Sequence, residues 1–303
     1  METELGMRVI VTGANGFIGR HVLPLLIDQG WEVFAVTRKS PGPQAVGVHW
    51  IEGDILRVNT DQVLRDKIKH AQATHLLHLA WFTKHGEFWY SEENFRWVEA
   101  SMGLLRVFHQ GGGSKVVIAG TCAEYDWSYG YCKEDVTPCR PSSIYGICKH
   151  ALHLMARSWC EQVGMELCWG RVFFPYGPGE SKSRLIPYLV RNFRKGDVPV
   201  CRNSGAFRDL IHVEDVARGL LVLLEKGCKG AYNISSRVPV RICEVVHEIA
   251  RLFGIDELDL SETHVAEGEP PLLVGENLRL MALGWKPVIT LSEGLERYIE
   301  KEL

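Results

Sequence analysis

The chain has 303 residues, of which 46% are hydrophobic and 23% charged, proportions typical of a soluble globular protein. These proportions exclude a wholly disordered chain, a collagen and a coiled coil. With 34 basic and 37 acidic side chains the net charge is −3, which gives no electrostatic reason to expect nucleic acid or an anionic membrane as a partner.

The expected location is the cytoplasm. No apolar run approaches the roughly 20 residues that span a bilayer, and the acidic first four residues lack the basic-then-apolar order of a signal peptide. The nine cysteines include no CxxC pair. A chain of this length needs no disulfides for stability, so we expect reduced thiols.

In chain order, short apolar runs alternate with helical patterns through the first half of the sequence. Strands are predicted at residues 7–12, 31–37, 48–52, 74–80, 115–119 and 166–172, and helices at 17–29, 92–110 and 143–163. This alternation predicts an α/β fold with a doubly wound parallel sheet. After residue 175 glycine and proline become denser, and helices are predicted at 213–225, 242–253 and 292–301. This second part is expected to form a smaller unit packed on the first, with some chain crossing between them.

A glycine-rich turn joins the first predicted strand to the first helix. Gly13, Gly16 and Gly19 follow the strand with GxxGxxG spacing. Glycine permits positive φ and lets the backbone approach a pyrophosphate, while the helix N-terminus offers free N–H groups. A tight turn without a ligand would look the same in isolation, but the position directly after a strand favours dinucleotide binding.

The end of the second strand bears on the choice of cofactor. NAD sites usually carry an acid there that binds the ribose 2′-hydroxyl, whereas this chain has Thr37, Arg38 and Lys39. Arg38 could pair with a 2′-phosphate, which favours NADP, with NAD possible; a solvated basic turn is the alternative. Asp54, after the third strand, either receives the adenine amino group or caps a helix.

A tyrosine and a lysine share one face of the helix predicted at 143–163. Tyr145 and Lys149 are four residues apart, and an ammonium close to a phenol lowers the pKa of the phenol. Thr121, at the end of the fifth strand, could bond a substrate carbonyl beside the phenol. Each residue alone has an ordinary structural explanation, a surface pair for YxxxK and a turn residue for Thr121.

Taken together these motifs resemble the extended short-chain dehydrogenase/reductases, specifically the nucleotide-sugar epimerase/dehydratase/reductase group. The matching runs extend over nearly the whole chain and keep the family order. They are TGANGFIG at 12–19, GDI at 53–55, HLA at 78–80, Thr121, YGICK at 145–149, RVFFPYGPG at 171–179, FRDLIHVEDVA at 207–217 and LGWKP at 283–287.

The resemblance implies an NAD(P)-binding Rossmann domain at 1–174 and a sugar-nucleotide-binding lobe at 175–303. It implies Tyr145 as acid/base, Lys149 as its partner and cofactor ligand, and Thr121 as carbonyl anchor. The cofactor-binding residues it implies are Gly13, Asn15, Gly16, Phe17, Ile18, Gly19, Arg38, Asp54, Ile55, Leu79, Ala80, Tyr145 and Lys149. The substrate-binding residues are Trp81, Glu124, Phe174 and Arg208, with Arg208 on the substrate diphosphate. A homodimer is implied through the helices at 92–110 and 143–163, on which Trp97, Leu105, Leu152 and Met155 are apolar; burial against the sheet alone is the alternative.

Three departures from the family narrow the function. The 4,6-dehydratases of the family carry a run resembling Thr-Asp-Glu where this chain has Thr121, Cys122 and Ala123. Cys122 and Ala123 cannot replace the two carboxyl groups that act as acid and base in a dehydration. Phe174 stands where many epimerases have asparagine. The segment 265–269 lacks an arginine that commonly binds the diphosphate, so diphosphate binding depends on fewer visible arginines.

The function predicted from these residues is the NADP-dependent reduction of a nucleotide-linked 4-keto-6-deoxy sugar. A nucleotide-sugar 4-epimerase, which keeps the same three catalytic residues, is the alternative. A non-catalytic cofactor-binding regulator is disfavoured because Thr121, Tyr145 and Lys149 are all present. His150 and His153 are interpreted as packing or surface residues, and no metal is predicted.

Overall fold

A computed structural model describes residues 7–39, 47–201, 203–227, 229–255, 258 and 263–302. Its main feature is a seven-stranded sheet in which every neighbouring pair is parallel, with the order β10-β7-β5-β4-β1-β2-β3. The strands are β1 (Arg8–Thr12), β2 (Glu32–Thr37), β3 (Val48–Glu52), β4 (His75–His78), β5 (Lys115–Thr121), β7 (Glu166–Val172) and β10 (Gly230–Ile234).

Helices cover both faces of this sheet because its strands are apolar on both sides. Along β5, Val116 and Ile118 contact one helical layer and Val117 the other. The first layer holds α2 (Gln62–His70), α3 (Glu93–Gln110) and α4 (Ile144–Val163); the second holds α1 (Gly19–Asp28), α6 (Val213–Glu225) and the short α8 (Leu278–Met281). The predicted doubly wound parallel sheet is confirmed.

A second, smaller sheet lies beside the first and has the order β11-β9-β12-β6, with β8 paired to β9. Its strands are β6 (Tyr131–Cys132), β8 (Phe174–Tyr176), β9 (Phe207–His212), β11 (Pro239–Arg241) and β12 (Leu272–Gly275). The helices α5 (Leu185–Lys195), α7 (Ile242–Leu252) and α9 (Leu291–Glu302) form the apolar core of this part.

The chain crosses between the two sheets in both directions. β6, from the first half of the sequence, pairs with β12, and β10, from the second half, forms an edge of the large sheet beside β7. The division at residue 174 stays a prediction.

The elements predicted in the first half are confirmed with small changes at their ends. The helix predicted at 17–29 begins at Gly19, because residues 13–18 form the turn that precedes it. The strand predicted at 74–80 ends at His78, and Ser143 caps α4 by accepting a hydrogen bond from Gly146 N rather than opening the helix. Helices α2, α5 and α8, strand β10 and the strands of the second sheet were not predicted from the sequence.

No helix among the described residues is long and apolar enough to cross a bilayer.

Candidate active site

Three cavities adjoin one another, and two of them lie at the carboxyl ends of the large sheet, where ligands of open α/β sheets bind. The glycine-loop cavity, of about 600 Å³, is lined by Gly13, Arg38, Asp54 and Trp97 among others. The tyrosine cavity, of about 270 Å³, contains Tyr145 and shares Gly13 with the first. The outer cavity, of about 390 Å³, contains Arg208 and shares Phe174 and Pro175 with the tyrosine cavity. The tyrosine cavity therefore lies between the other two and shares lining residues with each.

The glycine loop holds its shape through close backbone contacts. Gly13 has φ +72°, and a Cβ atom there would lie 2.8 Å from the backbone nitrogen of Ala80. A Cβ at Gly19 would lie 2.2 Å from the carbonyl oxygen of Gly13. Only glycine fits these positions without moving the backbone. The loop therefore keeps the bare backbone surface that a dinucleotide pyrophosphate needs.

A buried relay of hydrogen bonds fixes the neighbouring strand ends. Thr12 Oγ1 lies 2.6 Å from His78 Nδ1, and His78 Nε2 lies 2.8 Å from Ser101 Oγ. Ser101 in turn donates to the carbonyl of Trp97 at 2.6 Å, and the amide of Ala80 donates to Thr12 Oγ1 at 3.3 Å. Burial lowers the pKa of His78 to about 3. These roles require a neutral imidazole with its proton on Nε2, so the relay has one consistent direction.

The predicted cofactor-selecting residues lie in the glycine-loop cavity. Arg38 is exposed and lines its wall. Asn15 donates to Thr37 Oγ1 at 3.0 Å, which ties the glycine loop to the end of β2. Asp54 lines the same cavity, and its Oδ1 accepts from the Leu56 amide at 3.1 Å. Asp54 thus caps a short helix and is also part of the cavity lining.

The remaining predicted cofactor residues also line these cavities. They are Gly16, Phe17, Ile18, Gly19, Ile55, Leu79 and Ala80.

The three predicted catalytic residues line the tyrosine cavity together. Thr121 ends β5, while Tyr145 and Lys149 project from the first turns of α4. The Tyr145 ring packs edge-on against Phe88 and Trp89, with centroids 4.9 and 5.7 Å apart. The aromatic loop after β4 therefore holds the phenol in place.

Burial dominates the electrostatics of this group. It raises the pKa of Tyr145 to about 12, although a hydrogen bond with Thr121 acts to lower it. It lowers the pKa of Lys149 to about 7, against the opposing charge of Glu124. The lowering of the Tyr145 pKa expected from the sequence is not found, because burial of the phenol has the larger effect. Lys149 Nζ donates instead to the carbonyl of Ala119 at 2.8 Å.

Trp81 contacts Lys149 and lines both the glycine-loop and the tyrosine cavities. Lys149 Nζ lies 3.9 Å from the centroid of the Trp81 ring, a cation–π distance. The indole N–H donates to Asn94 Oδ1 at 2.8 Å, and Asn94 donates to the carbonyl of Phe88 at 2.7 Å. A substrate contact of Trp81 stays a prediction. The indole N–H is already used in the hydrogen bond to Asn94, so such a contact would be made by the ring.

The other two residues predicted to bind substrate, Phe174 and Arg208, line the cavities around and beyond Tyr145, and their substrate contacts stay predictions. Phe174 lines the tyrosine and outer cavities. Arg208 lines the outer cavity, and its guanidinium donates to the carbonyl of Pro270 at 2.8 Å and to Glu269 Oε2 at 3.0 Å.

The environment of Glu124 differs from the one predicted for a substrate-binding residue. It is fully buried, and none of the three cavities includes it. Its carboxylate accepts from the Thr121 amide at 2.8 Å, from Trp169 Nε1 at 2.8 Å and from Arg171 Nε at 2.9 Å. The assignment of Glu124 to substrate hydroxyls is therefore wrong, and its role is to fix the backbone of Thr121.

The same carboxylate belongs to a cluster with His150 and His153 whose possible ligand atoms lie within 4.8 Å of one another. Arg171 already supplies the positive charge at this carboxylate. Burial lowers the pKa of His153 to about 4, and its ring stacks on Trp169. These contacts explain the cluster as a buried ion pair within the protein core.

Two residues that the sequence analysis missed lie where the tyrosine and outer cavities meet. Glu180 and Arg184 line both. Burial raises the pKa of Glu180 to about 8, and its Oε2 is buried without a hydrogen-bond partner among the described residues. The only sequence signal was their position in the loop after RVFFPYGPG.

Comparison with known proteins gives matches along the whole chain. The profile of the NAD dependent epimerase/dehydratase family matches residues 9–235. A probable dTDP-glucose 4,6-dehydratase of Sinorhizobium fredii is 26% identical over 97% of this chain and 92% of its own. A dTDP-6-deoxy-L-talose 4-dehydrogenase (NAD(+)) of Aggregatibacter actinomycetemcomitans is 25% identical over 80% and 89%.

Two further matches widen the range of activities. A UDP-glucuronate 4-epimerase of Thermodesulfobacterium geofontis is 22% identical over 96% of this chain and 94% of its own. The structure of MoeE5 in complex with UDP-glucuronic acid and NAD is 28% identical, with a TM-score of 0.82 over 98% of this chain and 100% of that chain.

Proposed function

Because the chain belongs to the NAD dependent epimerase/dehydratase family, we propose that it is an NADP-dependent 4-ketoreductase of a nucleotide-linked 4-keto-6-deoxy sugar. The observation that carries the proposal is the convergence of Thr121, Tyr145 and Lys149 on the tyrosine cavity, which adjoins the glycine loop.

Each catalytic residue has a role that follows from its environment. The hydroxyls of Thr121 and Tyr145 bind the ketone oxygen, and Tyr145 donates its proton to that oxygen as the alkoxide forms. Burial keeps the phenol protonated at neutral pH, which is the form that a reduction needs. Lys149 returns a proton to the Tyr145 phenol after the transfer. Its ammonium group, held over the Trp81 ring, also orients the cofactor ribose.

The described residues fit a dinucleotide. Gly13 and Gly19 leave a backbone surface that a Cβ would fill. Asp54 lines the glycine-loop cavity and would meet the adenine, while Phe17 and Ile18 line the tyrosine cavity and would meet the nicotinamide. The nicotinamide, when bound, supplies the hydride. Arg38 lines the cavity at the end of β2, where an NAD site usually has an acid, and this supports NADP.

Two observations support reduction over dehydration. Burial raises the pKa of Cys122, so its thiol stays neutral, and Ala123 carries no acid or base. The 4-dehydrogenase relative acts, by its name, on the C4 hydroxyl of a 6-deoxy sugar nucleotide, and a 4-ketoreductase catalyses the reverse of that redox step.

A 4-epimerase is the second candidate. The 4-epimerase relative covers 96% of this chain, and epimerisation through a 4-keto intermediate uses the same three residues. The two candidates differ in net chemistry, because an epimerase regenerates its cofactor in each turnover.

Product analysis with deuterated NADPH separates them. The reductase transfers one deuterium to C4 for each NADP formed from a 4-keto-6-deoxy sugar nucleotide. Inversion of a C4 hydroxyl without net cofactor consumption would establish the epimerase instead.

The proposal includes a homodimer. Helices α3 and α4 expose Phe95, Ile147, Leu154 and Met155, which are 41–55% accessible. Of the residues expected at this interface, Leu105 and Leu152 are instead buried in the protein's own core and Trp97 lines the glycine-loop cavity. Light scattering tests the dimer: a 34.2 kDa particle at micromolar concentration would contradict it.

A further inference from the structure

A row of four buried polar side chains connects strand β10 with the end of β5. Glu124 Oε2 accepts a hydrogen bond from Arg171 Nε at 2.9 Å, and Arg171 Nη1 donates to the Tyr125 hydroxyl at 3.0 Å. That hydroxyl donates in turn to Asn233 Oδ1 at 2.8 Å, which joins two residues 108 positions apart in the sequence. Each of the four is at most 2% exposed, and we call them the arginine network.

The far end of the arginine network has one orientation that satisfies its polar atoms. Asn233 Nδ2 donates to the carbonyl of Cys132 at 3.0 Å and to that of Glu276 at 2.9 Å, so both amide protons are used. Its Oδ1 therefore accepts, and the Tyr125 hydroxyl donates to it while accepting from Arg171. Because these groups are buried, removing one of them leaves its partner unsatisfied away from water. The network is thus held at this end by β6 and by the residue that follows β12.

The near end of the arginine network holds the backbone of Thr121. Glu124 Oε1 accepts from the Thr121 amide at 2.8 Å. The strand packs on this carboxylate without free space, because a Cβ atom at Gly120 would lie 2.6 Å from Glu124 Oε1. The side chain of Thr121 is hydrogen-bonded to Tyr145, whose pKa this bond lowers. A shift of Glu124 therefore moves the backbone that carries the hydroxyl beside Tyr145.

We infer that Tyr125 and Asn233 are positioning residues, which hold Thr121 in its reactive geometry through the rest of the arginine network. The inference rests on the proposed function, in which the Thr121 hydroxyl binds the ketone oxygen. No member of the network lines any of the three cavities, so they act through Thr121 and do not contact a ligand. A residue from the second half of the sequence thereby sets the geometry of a reaction whose three catalytic residues all come from the first half.

The first measurement needs no substrate. In full-length protein labelled with ¹⁵N-threonine, the amide proton signal of Thr121 is assigned with Thr121→Ser. It is expected to shift upfield in Tyr125→Phe, because the hydrogen bond from this amide to Glu124 weakens. The matched control is Ser235→Ala, which loses a buried hydrogen bond to the carbonyl of Gly275 outside the network, and for which no shift is expected. An unchanged Thr121 signal in folded Tyr125→Phe would overturn the inference.

A second variant guards against a failure to fold. Asn233→Ala removes the acceptor of the Tyr125 hydroxyl and takes the place of Tyr125→Phe if that variant does not fold, with the same upfield shift expected. Thermal unfolding verifies the fold of each variant.

A double-mutant cycle separates positioning from a general loss of stability. Turnover is measured with NADPH and whichever of the dTDP-, UDP-, GDP- and CDP-linked 4-keto-6-deoxyglucoses the wild type reduces fastest. Tyr125→Phe should lower kcat about 10-fold, less than the roughly 10²-fold that a misplacement of about 1 Å can cost, with little change in KM for NADPH. In a Thr121→Val background the same substitution should change kcat little, because the hydroxyl that it displaces is already absent.

Two kinetic outcomes would overturn the inference: a wild-type kcat in Tyr125→Phe, or an equal loss in both backgrounds. If the wild type reduces none of the four compounds, the proposed function fails instead. The Thr121 signal then still decides whether Tyr125 holds this backbone.

Discussion

The glycine-loop cavity and the outer cavity are built in different ways. The first is made largely of backbone: the φ of Gly13, the contact between Gly13 and Ala80, and the strand ends fixed by the His78 relay. The second depends on side chains such as Glu180, Arg184 and Arg208, drawn from separate loops and strands. A backbone site suits a constant ligand, and a side-chain site allows the substrate to vary between related chains. A contiguous motif therefore predicts the first cavity, whereas the second is assembled only in the folded protein.

The largest effect is expected in the tyrosine cavity, which lies between these two regions. Tyr145→Phe removes the proton that the phenol donates, and should lower kcat by about 10²–10⁴-fold. Cofactor affinity should remain near that of the wild type, because the ring still packs against Phe88 and Trp89. Steady-state kinetics and a fluorescence titration measure the two quantities, with the exposed Tyr129→Phe as control. A variant with wild-type turnover would remove Tyr145 from the mechanism.

Glu124→Gln tests whether Glu124 stabilises the fold rather than binding substrate. Removing the charge leaves Arg171 buried without its partner carboxylate, and should reduce the free energy of unfolding by about 3–5 kcal/mol. Chemical denaturation measures this, with the exposed Glu99→Gln as control. The affinity for a nucleoside diphosphate should be unchanged at a temperature where the variant is folded. A stable variant with weakened sugar-nucleotide binding would restore the substrate role.

Arg38→Ala tests which cofactor the glycine-loop cavity prefers. The guanidinium should contact only the 2′-phosphate. The affinity for NADPH should therefore fall by about 10- to 150-fold, and the affinity for NADH should change little. Lys39→Ala is the matched control, because Lys39 is basic and exposed but does not line the cavity. Equal losses for the two cofactors, or tighter binding of NADH by the wild type, would count against NADP.

The smallest effect is a pH dependence of the side-chain site. The folded pKa of Glu180 is raised to about 8, so the carboxyl is neutral below that pH and ionises as pH rises through it. The ionised form competes with an anion for Arg184, and nucleoside diphosphate affinity should fall a few-fold between pH 7 and 9.5.

Other charged or ionisable groups line the same cavities or pack on the same loop. They are His85, Arg208 and Glu269 in the outer cavity, Tyr145 and Lys149 in the tyrosine cavity, and Arg20 and His21 of α1 beside the loop. The informative quantity is therefore the difference between wild type and Glu180→Gln, measured by titration calorimetry. Parallel pH profiles for the two proteins would show that Glu180 has no part in the dependence.

Sequence reasoning succeeded where the determinants of a feature are contiguous. The strand, glycine turn and helix of residues 8–28 are local, and the i, i+4 pair of Tyr145 and Lys149 lies on one helix. It failed for Glu124, because the partners that bury this carboxylate, Trp169 and Arg171, come from the adjacent strand β7. It missed Arg184 because the significance of that residue depends on which neighbouring acids are paired, and pairing is a tertiary property.

The position of β10 has a consequence for how the chain folds during synthesis. This strand completes the large sheet by pairing Ala231 with Trp169 and Ile234 with Val172. Until residue 234 has emerged from the ribosome, β7 has no neighbour on one side and its apolar edge is open to other chains. Vectorial folding of an N-terminal unit is therefore incomplete at residue 174, and a chain truncated there carries an unprotected sheet edge. The two halves of the sequence depend on one another for solubility as well as for the active site.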